Sequence, residues 1–207
     1  MYTFYHITYS KPYNSFSDLR LGDEITVGEK LNPYYEYFHN TDDFVQVAIP
    51  DGMQKVHYSD CIANFANNDS VKAYPPAKEI FPFINGKLDD LFQLNRELLL
   101  ENVRLQFYPH MPSRLKCLWV TMTRDESTIW MTNFLKSPNL ELITLESHDL
   151  PVKVDSMCLP LARDSLAIKE KKAHSYWSGQ ISNTPMIEYL FQGKAIVKYI
   201  NKIHFGG

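Results

Sequence analysis

The sequence predicts an α+β fold, and three observations carry that expectation. Segments with strand-like alternation occur at both ends and in the middle of the chain. Segments with helical spacing fall between them without a regular β-α-β rhythm. No Gly-rich loop joins a strand to a helix, which argues against a doubly wound sheet.

Residues 1–9, MYTFYHITY, alternate with Tyr2, Phe4, His6 and Thr8 on one face and Thr3, Tyr5, Ile7 and Tyr9 on the other. LRLGDEITVGEKLN (19–32) is expected to form a short strand or turn pair punctuated by Gly22 and Gly28. Residues 33–75 are aromatic and polar without a firm period, and are a candidate insertion. Beyond them, Leu91, Leu94 and Leu98 fall at helical spacing, Glu97 and Glu101 sit four apart, and Pro109 stops the pattern. LKCLWVTM (115–122) is a compact apolar strand. Thr123 with Glu126 then fits a capping box that opens a helix to about Leu135. LELITLE (140–146) alternates as a further strand, and Pro151 to Leu159 continues in extended or loop form. DSLAIKEKKAHSYW (164–177) is expected to be helical, and the chain closes with a strand pair around Gly193.

The chain has 207 residues, a length that fits one domain, 1–207, with room for an insertion at about 33–75. Hydrophobic residues make up 44% and charged residues 22%, as in a globular protein. A net charge of -3 provides no basic footprint for sequence-independent nucleic-acid binding, though a small local patch could still hold such a substrate. With 13 Tyr and 12 Phe against 8 Gly, ordered strands and pockets are favoured over flexible linkers. Three cysteines at wide spacing make no disulfide framework, and without a CxxC pair or His/Cys cluster no metal is expected. The start, MYTFYHITYSKPY, lacks the basic and apolar regions of a secretory signal. No stretch approaches about 18 apolar residues, so no membrane partner is expected and a reduced cytoplasmic protein is.

Three segments carry chemistry. YHIT (5–8) places His6 and Thr8 on one side of a strand. PSRLKCLWVTMTRDESTIWMTNF (112–134) is a strand, a capped turn and a helix bearing Trp130. PMIEYLFQGKAIVKYI (185–200) opens an apolar run with a lone acid, Glu188. Taken singly, each has a plain structural explanation: a satisfied core histidine, a core indole, a solvated strand end.

In this order the segments resemble the ADP-ribosyltransferase superfamily, in the branch of the poly(ADP-ribose) polymerases and diphtheria toxin. There a first strand carries a histidine followed two residues on by a small hydroxyl residue. A second strand leads into a helix with an aromatic residue, and a late strand opens with a glutamate. The matching positions are His6 with Thr8, Trp130 and Glu188, with IEYLFQGKAIVKYI similar to the glutamate strand and LWVT…STIW to the strand and helix. Nearly the whole chain also resembles a bacterial family of unassigned function. It shares Tyr-His-x-Thr (Tyr5 to Thr8), an acidic-basic helix ending in Pro-Ser-Arg (Glu101 to Arg114) and Tyr-Trp-x-Gly (Tyr176 to Gly179). Two departures stand out. Trp130 replaces the usual tyrosine, with Trp119 a competing ring, and Met186 stands where arginine-modifying toxins carry a second carboxylate.

The resemblance implies a split, mainly antiparallel β-sheet core with flanking helices, and NAD as co-substrate, cleaved between nicotinamide and ribose. Glu188 would be the catalytic carboxylate that stabilises an oxocarbenium-like centre. His6 would bond the adenosine-side ribose hydroxyls, Thr8 would fix that end, and Trp130 would stack on nicotinamide. Arg114 would pair with a diphosphate oxygen, or else anchor the preceding helix through Glu101. Tyr176 and Trp177 would wall the pocket or bury a helix end. Arg96 and Arg104 are expected as partners of Glu97 and Glu101. Stand-alone bacterial enzymes of this kind commonly act as toxins of toxin–antitoxin or antiphage systems, or as phage effectors, so the resemblance implies a protein or nucleic-acid acceptor and an antitoxin or inhibitor protein as partner. Two rivals stand beside mono-ADP-ribosyl transfer. NAD-dependent RNA 2'-phosphotransfer needs clustered arginines, of which only Arg114 is in place. A non-catalytic nucleotide- or partner-binding module on the same fold is the other.

Overall fold

The computed structural model describes residues 1–8, 19–40, 44–49, 52–57, 59–60, 63, 77–133 and 139–204. The chain falls into two compact units, Met1–Tyr37 with Asn95–Gly207, and Phe38–Leu94. The fold is α+β. In chain order the elements are β1 (Tyr2–Thr8), β2 (Glu24–Val27), α1 (Pro33–Asn40), β3 (Phe44–Ile49) and β4 (Gly52–His57). After them come α2 (Ala77–Phe107), β5 (Leu118–Val120), α3 (Arg124–Asn133), β6 (Asn139–Ser147) and β7 (Val152–Asp155). A 3-10 turn (Ser156–Cys158), α4 (Leu166–Trp177), β8 (Ile187–Phe191) and β9 (Gly193–His204) complete the order. In the smaller unit β3 and β4 form an antiparallel hairpin in the stretch whose period was unreadable.

Two antiparallel sheets build the larger unit, one ordered β1-β6-β9-β2 and one β5-β8-β7. Among the described residues their backbones meet at a single bridge, at which Tyr5 and Thr121 exchange two N–H···O bonds of 2.8 Å. A first core packs Phe4, Ile143, Leu145 and Val197 of the larger sheet against Leu118, Val120 and Phe191 of the smaller, with the Phe4 and Phe191 rings 4.7 Å apart. A second core lies on the other face of the smaller sheet, where Leu190 and Val154 meet Leu100 and Val103 of α2 and Ala173, Tyr176 and Trp177 of α4. The twofold alternation of β8 therefore assigns Tyr189 and Phe191 to the intersheet core, and Glu188 and Leu190 to the face under the helices.

Several local expectations take a different form. β8 and β9 do not pair around Gly193: β8 lies between β5 and β7, and β9 between β6 and β2. Gly193 makes the change of sheet with φ 135°, and a Cβ there would collide with the Asp149 carboxylate. The strand expected over 115–122 shrinks to Leu118–Val120, because the chain from Ser113 to Cys117 turns, with Cys117 N–H bonded to the Ser113 carbonyl. On α2 the leucine spacing marks the wrong stripe: Leu98 is 44% exposed, while Glu97, Leu100, Val103 and Arg104 are buried. The capping box forms as expected, Glu126 N–H donating to Thr123 Oγ1 and Thr123 N–H to Glu126 Oε2, both at 3.1 Å. α3 is described to Asn133; Leu135 and Tyr9 lie outside the described residues. Among the described residues no helix is long and apolar enough to cross a membrane.

The loop before β8 is held by one side chain. Asp155, fully buried, accepts from the backbone N–H groups of Met157 (3.0 Å), Ser182 (2.8 Å) and Met186 (2.8 Å). Burial opposes its charge, but these donors outweigh burial and hold the carboxyl below its usual value. Replacing Asp155 by Ala should cost about 3 kcal/mol in a urea titration, since three donors lose their acceptor, and Asp155→Asn should cost less. The wild-type contribution is present above the ordinary carboxyl value of 3.8 and disappears as pH falls below it.

Candidate functional site

Where β1 and β5 leave their one bridge, a hollow of about 380 Å³ opens, lined by Tyr5, His6 and Ile7 on one side and Leu118 to Thr121 on the other. In an antiparallel ladder continuing from Tyr5–Thr121, the next bond would run from Ile7 N–H to the Trp119 carbonyl. That carbonyl instead accepts from His6 Nδ1 at 2.9 Å. The imidazole thus takes a backbone partner at the point where the sheets separate. Because a carbonyl only accepts, Nδ1 carries the proton and Nε2 is the acceptor nitrogen of the neutral ring. Burial disfavours the imidazolium more than the Trp119 carbonyl favours it, and the pKa falls from 6.5 to about 4.

Other lining groups come from the helices and from β8. Trp130 on α3 donates Nε1–H to the Ile187 carbonyl at 2.9 Å, tying its indole to the residue before Glu188. Arg96 approaches from α2. Asn32 and Tyr34 approach from the start of α1, where Asn32 caps the helix by accepting from Tyr35 N–H (2.9 Å) and Pro33 occupies the first turn. The Asn32 amide also donates to the Arg114 carbonyl at 2.6 Å, which joins this cap to the loop before β5. Trp119 lines the hollow as well; Arg114 lies 5.4 Å from its ring centroid and Tyr34 meets it edge-on at 5.8 Å. The buried Trp119 Nε1–H has no hydrogen-bond partner among the described residues, a group that a ligand or ordered water commonly satisfies.

Glu188 stands at the wall of the hollow, 7% exposed. Its Oε1 accepts from Arg114 Nη1 (2.5 Å) and from the Tyr176 hydroxyl (2.6 Å), while Oε2 receives no bond from the described residues. Arg114 Nη1 also reaches the Tyr176 hydroxyl oxygen. Behind Arg114, Glu97 accepts from Nε at 2.8 Å and Nη2 at 3.3 Å, and Arg96 in turn donates to Glu97 Oε1 at 3.0 Å. Formal charges along Arg96, Glu97, Arg114 and Glu188 sum to zero, which allows the group to be buried. Burial works against charge on Arg114, and Glu97, Tyr176 and Glu188 reverse it, raising its pKa well above the ordinary value. For Glu97, burial is likewise outweighed by Arg114 and Arg96, and its carboxyl is held below the usual value. Burial, with Glu188 adding to it, pushes the Tyr176 phenol well up despite Arg114, so the hydroxyl stays a donor. Burial also pushes up the Cys117 thiol, which rules out a thiolate at neutral pH.

Of the six residues picked from sequence, His6, Trp130, Arg114 and Glu188 line one hollow. Thr8, 1% exposed at the end of β1, does not line it. Tyr176 is fully buried and stands behind Glu188. Arg114 pairs with Glu97 and Glu188, not with Glu101; Glu101 is taken by Arg104 (2.8 Å) and by the Ser113 hydroxyl (2.9 Å). Sequence reading passed over Glu97, Asn32 and Tyr34. The Asn-Pro pair at 32–33 was a legible cap signal, and Glu97 lay hidden as one of two acids on a helix face. Among the described residues no group of three or more His, Cys, Asp or Glu could hold a metal ion.

His6 should impose an acid limit on stability. Its folded pKa lies below its unfolded one, so stability is full above pH 6.5 and declines as pH falls toward about 4. Between pH about 7.5 and about 5 the loss from this one group should be about 2 kcal/mol. His6→Gln should flatten urea-titration midpoints over that interval, and an unchanged slope would assign the acid sensitivity elsewhere.

No curated protein matches the chain. A family model described as a protein of unknown function (DUF2441) matches residues 4–204, and the chain belongs to that family.

Proposed function

We propose that this protein is an NAD-dependent mono-ADP-ribosyltransferase whose co-substrate occupies the hollow between β1 and β5. The observation that carries the reading is the meeting of His6, Trp130 and Glu188 around one hollow at the split between two antiparallel sheets. These are the positions at which the sequence resembles the polymerase and diphtheria-toxin branch of the superfamily. The volume suits part of a dinucleotide, within the roughly 300–1,000 Å³ usual for ligand sites.

In this reading the bond between ribose C1' and the nicotinamide nitrogen breaks. Its electron pair neutralises the pyridinium, and C1' becomes oxocarbenium-like until an acceptor nucleophile attacks. Glu188 Oε2 faces the developing charge and can hold a ribose hydroxyl, while Tyr176 and Arg114 keep Oε1 from turning. Neutral His6 offers Nε2 as an acceptor to an adenosine-side hydroxyl. Trp130, tethered beside Glu188, is the better nicotinamide platform, because Arg114 already lies against the Trp119 ring. Arg114 spends its donors on protein carboxylates, which makes Arg96 the cation better placed for a diphosphate oxygen. The acceptor is a protein side chain or a nucleic-acid base. A cytoplasmic toxin or antiphage effector, restrained by an inhibitor protein, is the setting implied by the resemblance. Pairing of Glu188 with a buried arginine favours one rival, a module that binds NAD without cleaving it.

Labelled NAD incubated with cell extract tests the reading. The wild type should release nicotinamide and label a macromolecule, and Glu188→Gln should lower both by about 10²–10³-fold while its melting transition persists. Equal labelling by the two proteins would remove Glu188 from its role. NAD binding with no release of nicotinamide would leave the binding module.

A further inference from the structure

Arg114 offers Glu188 much less than an arginine usually offers a carboxylate. Guanidinium and carboxylate are both planar forks, and their favoured contact is two parallel N–H···O bonds. Here that contact is made with Glu97, through Nε (2.8 Å) and Nη2 (3.3 Å). Glu188 receives only Nη1, on the oxygen that Tyr176 also holds. Three elements set this division: α2 supplies Glu97, the turn before β5 supplies Arg114, and β8 supplies Glu188. Glu97 is 2% exposed, and Arg96 steadies it from the adjacent position on the helix.

We propose that Glu97 is a positioning residue for Glu188: by holding the Nε–Nη2 edge of Arg114 it restricts that guanidinium to a one-point contact on Oε1 and keeps Oε2 open to the ligand of the hollow. The inference rests on the reading of Glu188 as the carboxylate that faces the nicotinamide ribose. Loss of the charge on Glu97 releases the side edge of Arg114, the nearest remaining carboxylate is Glu188, and the fork closes on both of its oxygens. Glu188 is then still present, still folded into β8 and still paired, yet has no oxygen left for substrate. Glu97 touches no ligand in this account and acts only through Arg114. The arrangement also explains why the buried face of α2 carries an acid.

A crystal structure of Glu97→Gln and steady-state kinetics of NAD cleavage test this together. The structure should show Arg114 bonded to both Oε1 and Oε2 of Glu188. Turnover should fall about 10²-fold, while NAD affinity read from tryptophan fluorescence stays within about threefold, since a misplaced catalytic group costs kcat and not binding. If Glu97→Gln does not fold, Arg96→Gln combined with Glu97→Gln removes one charge of each sign and frees the same edge; the contact of Arg114 with both Glu188 oxygens and the fall in turnover are then the readouts, since the loss of Arg96 from the hollow lowers NAD affinity by itself. An unchanged one-point contact in the variant crystal, or unchanged kcat, overturns the proposal. Absence of NAD cleavage by the wild type would sink the functional reading instead, and the crystal structure alone would then decide whether Glu97 governs the Arg114–Glu188 contact.

Discussion

The larger unit depends on one pair of hydrogen bonds. Tyr5 and Thr121 are the point at which the backbones of a four-stranded and a three-stranded sheet meet, and among the described residues β1 and β5 pair with each other nowhere else. A longer ladder would have sealed the gap, and with no bridge the intersheet core around Phe4 and Phe191 would have lacked a hinge line. The hollow exists because the pairing stops after one step. His6 marks the stop, with a side-chain nitrogen in the place of a backbone donor. Its neutrality follows from the same fact, because a ring wedged between strands is shielded from the water that would solvate an imidazolium.

Around that opening the chain buries an alternating row of charges. Arg96 and Glu97 are neighbours on α2, while Arg114 and Glu188 come from distant places in the sequence, the turn before β5 and β8. Buried ion pairs seldom add net stability over a well-packed apolar core, because desolvation offsets most of the attraction, but removing one member leaves its partner uncompensated. A network of this kind therefore specifies geometry better than it stabilises. It holds one carboxylate oxygen still and, among the described residues, leaves the other without a bond. Tyr-Trp-x-Gly serves the same end: Tyr176 bonds Glu188, Trp177 donates to the Leu100 carbonyl at 2.8 Å, and Gly179 ends α4 with φ 73°.

Much of this was legible in the sequence, and the exceptions have physical causes. The α+β class, the first strand, the capped helix over Arg124–Asn133 and the late strand at Glu188 all follow from local alternation and capping, which are properties of neighbouring residues. Local rules could not tell that consecutive strands would part into separate sheets, since twofold alternation is the same on either side of Gly193. Nor could they identify the partner of Arg114. Glu97 and Glu101 are equivalent by spacing, and only the turn at Ser113, whose hydroxyl takes Glu101, leaves Glu97 for the arginine. The buried stripe of α2 was misjudged because periodicity weighs leucine above glutamate, and charges compensated from distant segments escape that weighting.

The change of sheet at Gly193 carries a consequence for motion. β8, which bears Glu188, runs directly into β9, which lies between β6 and β2 at the interior of the larger sheet. Slack in the strand that presents the acid cannot be absorbed by a flexible connector, because the connector is Gln192 alone. Amide exchange in Ile187–Phe191 is thereby expected to follow opening of the large sheet. The wall of the hollow formed by this strand is therefore expected to exchange its amides slowly, together with the strands of the large sheet.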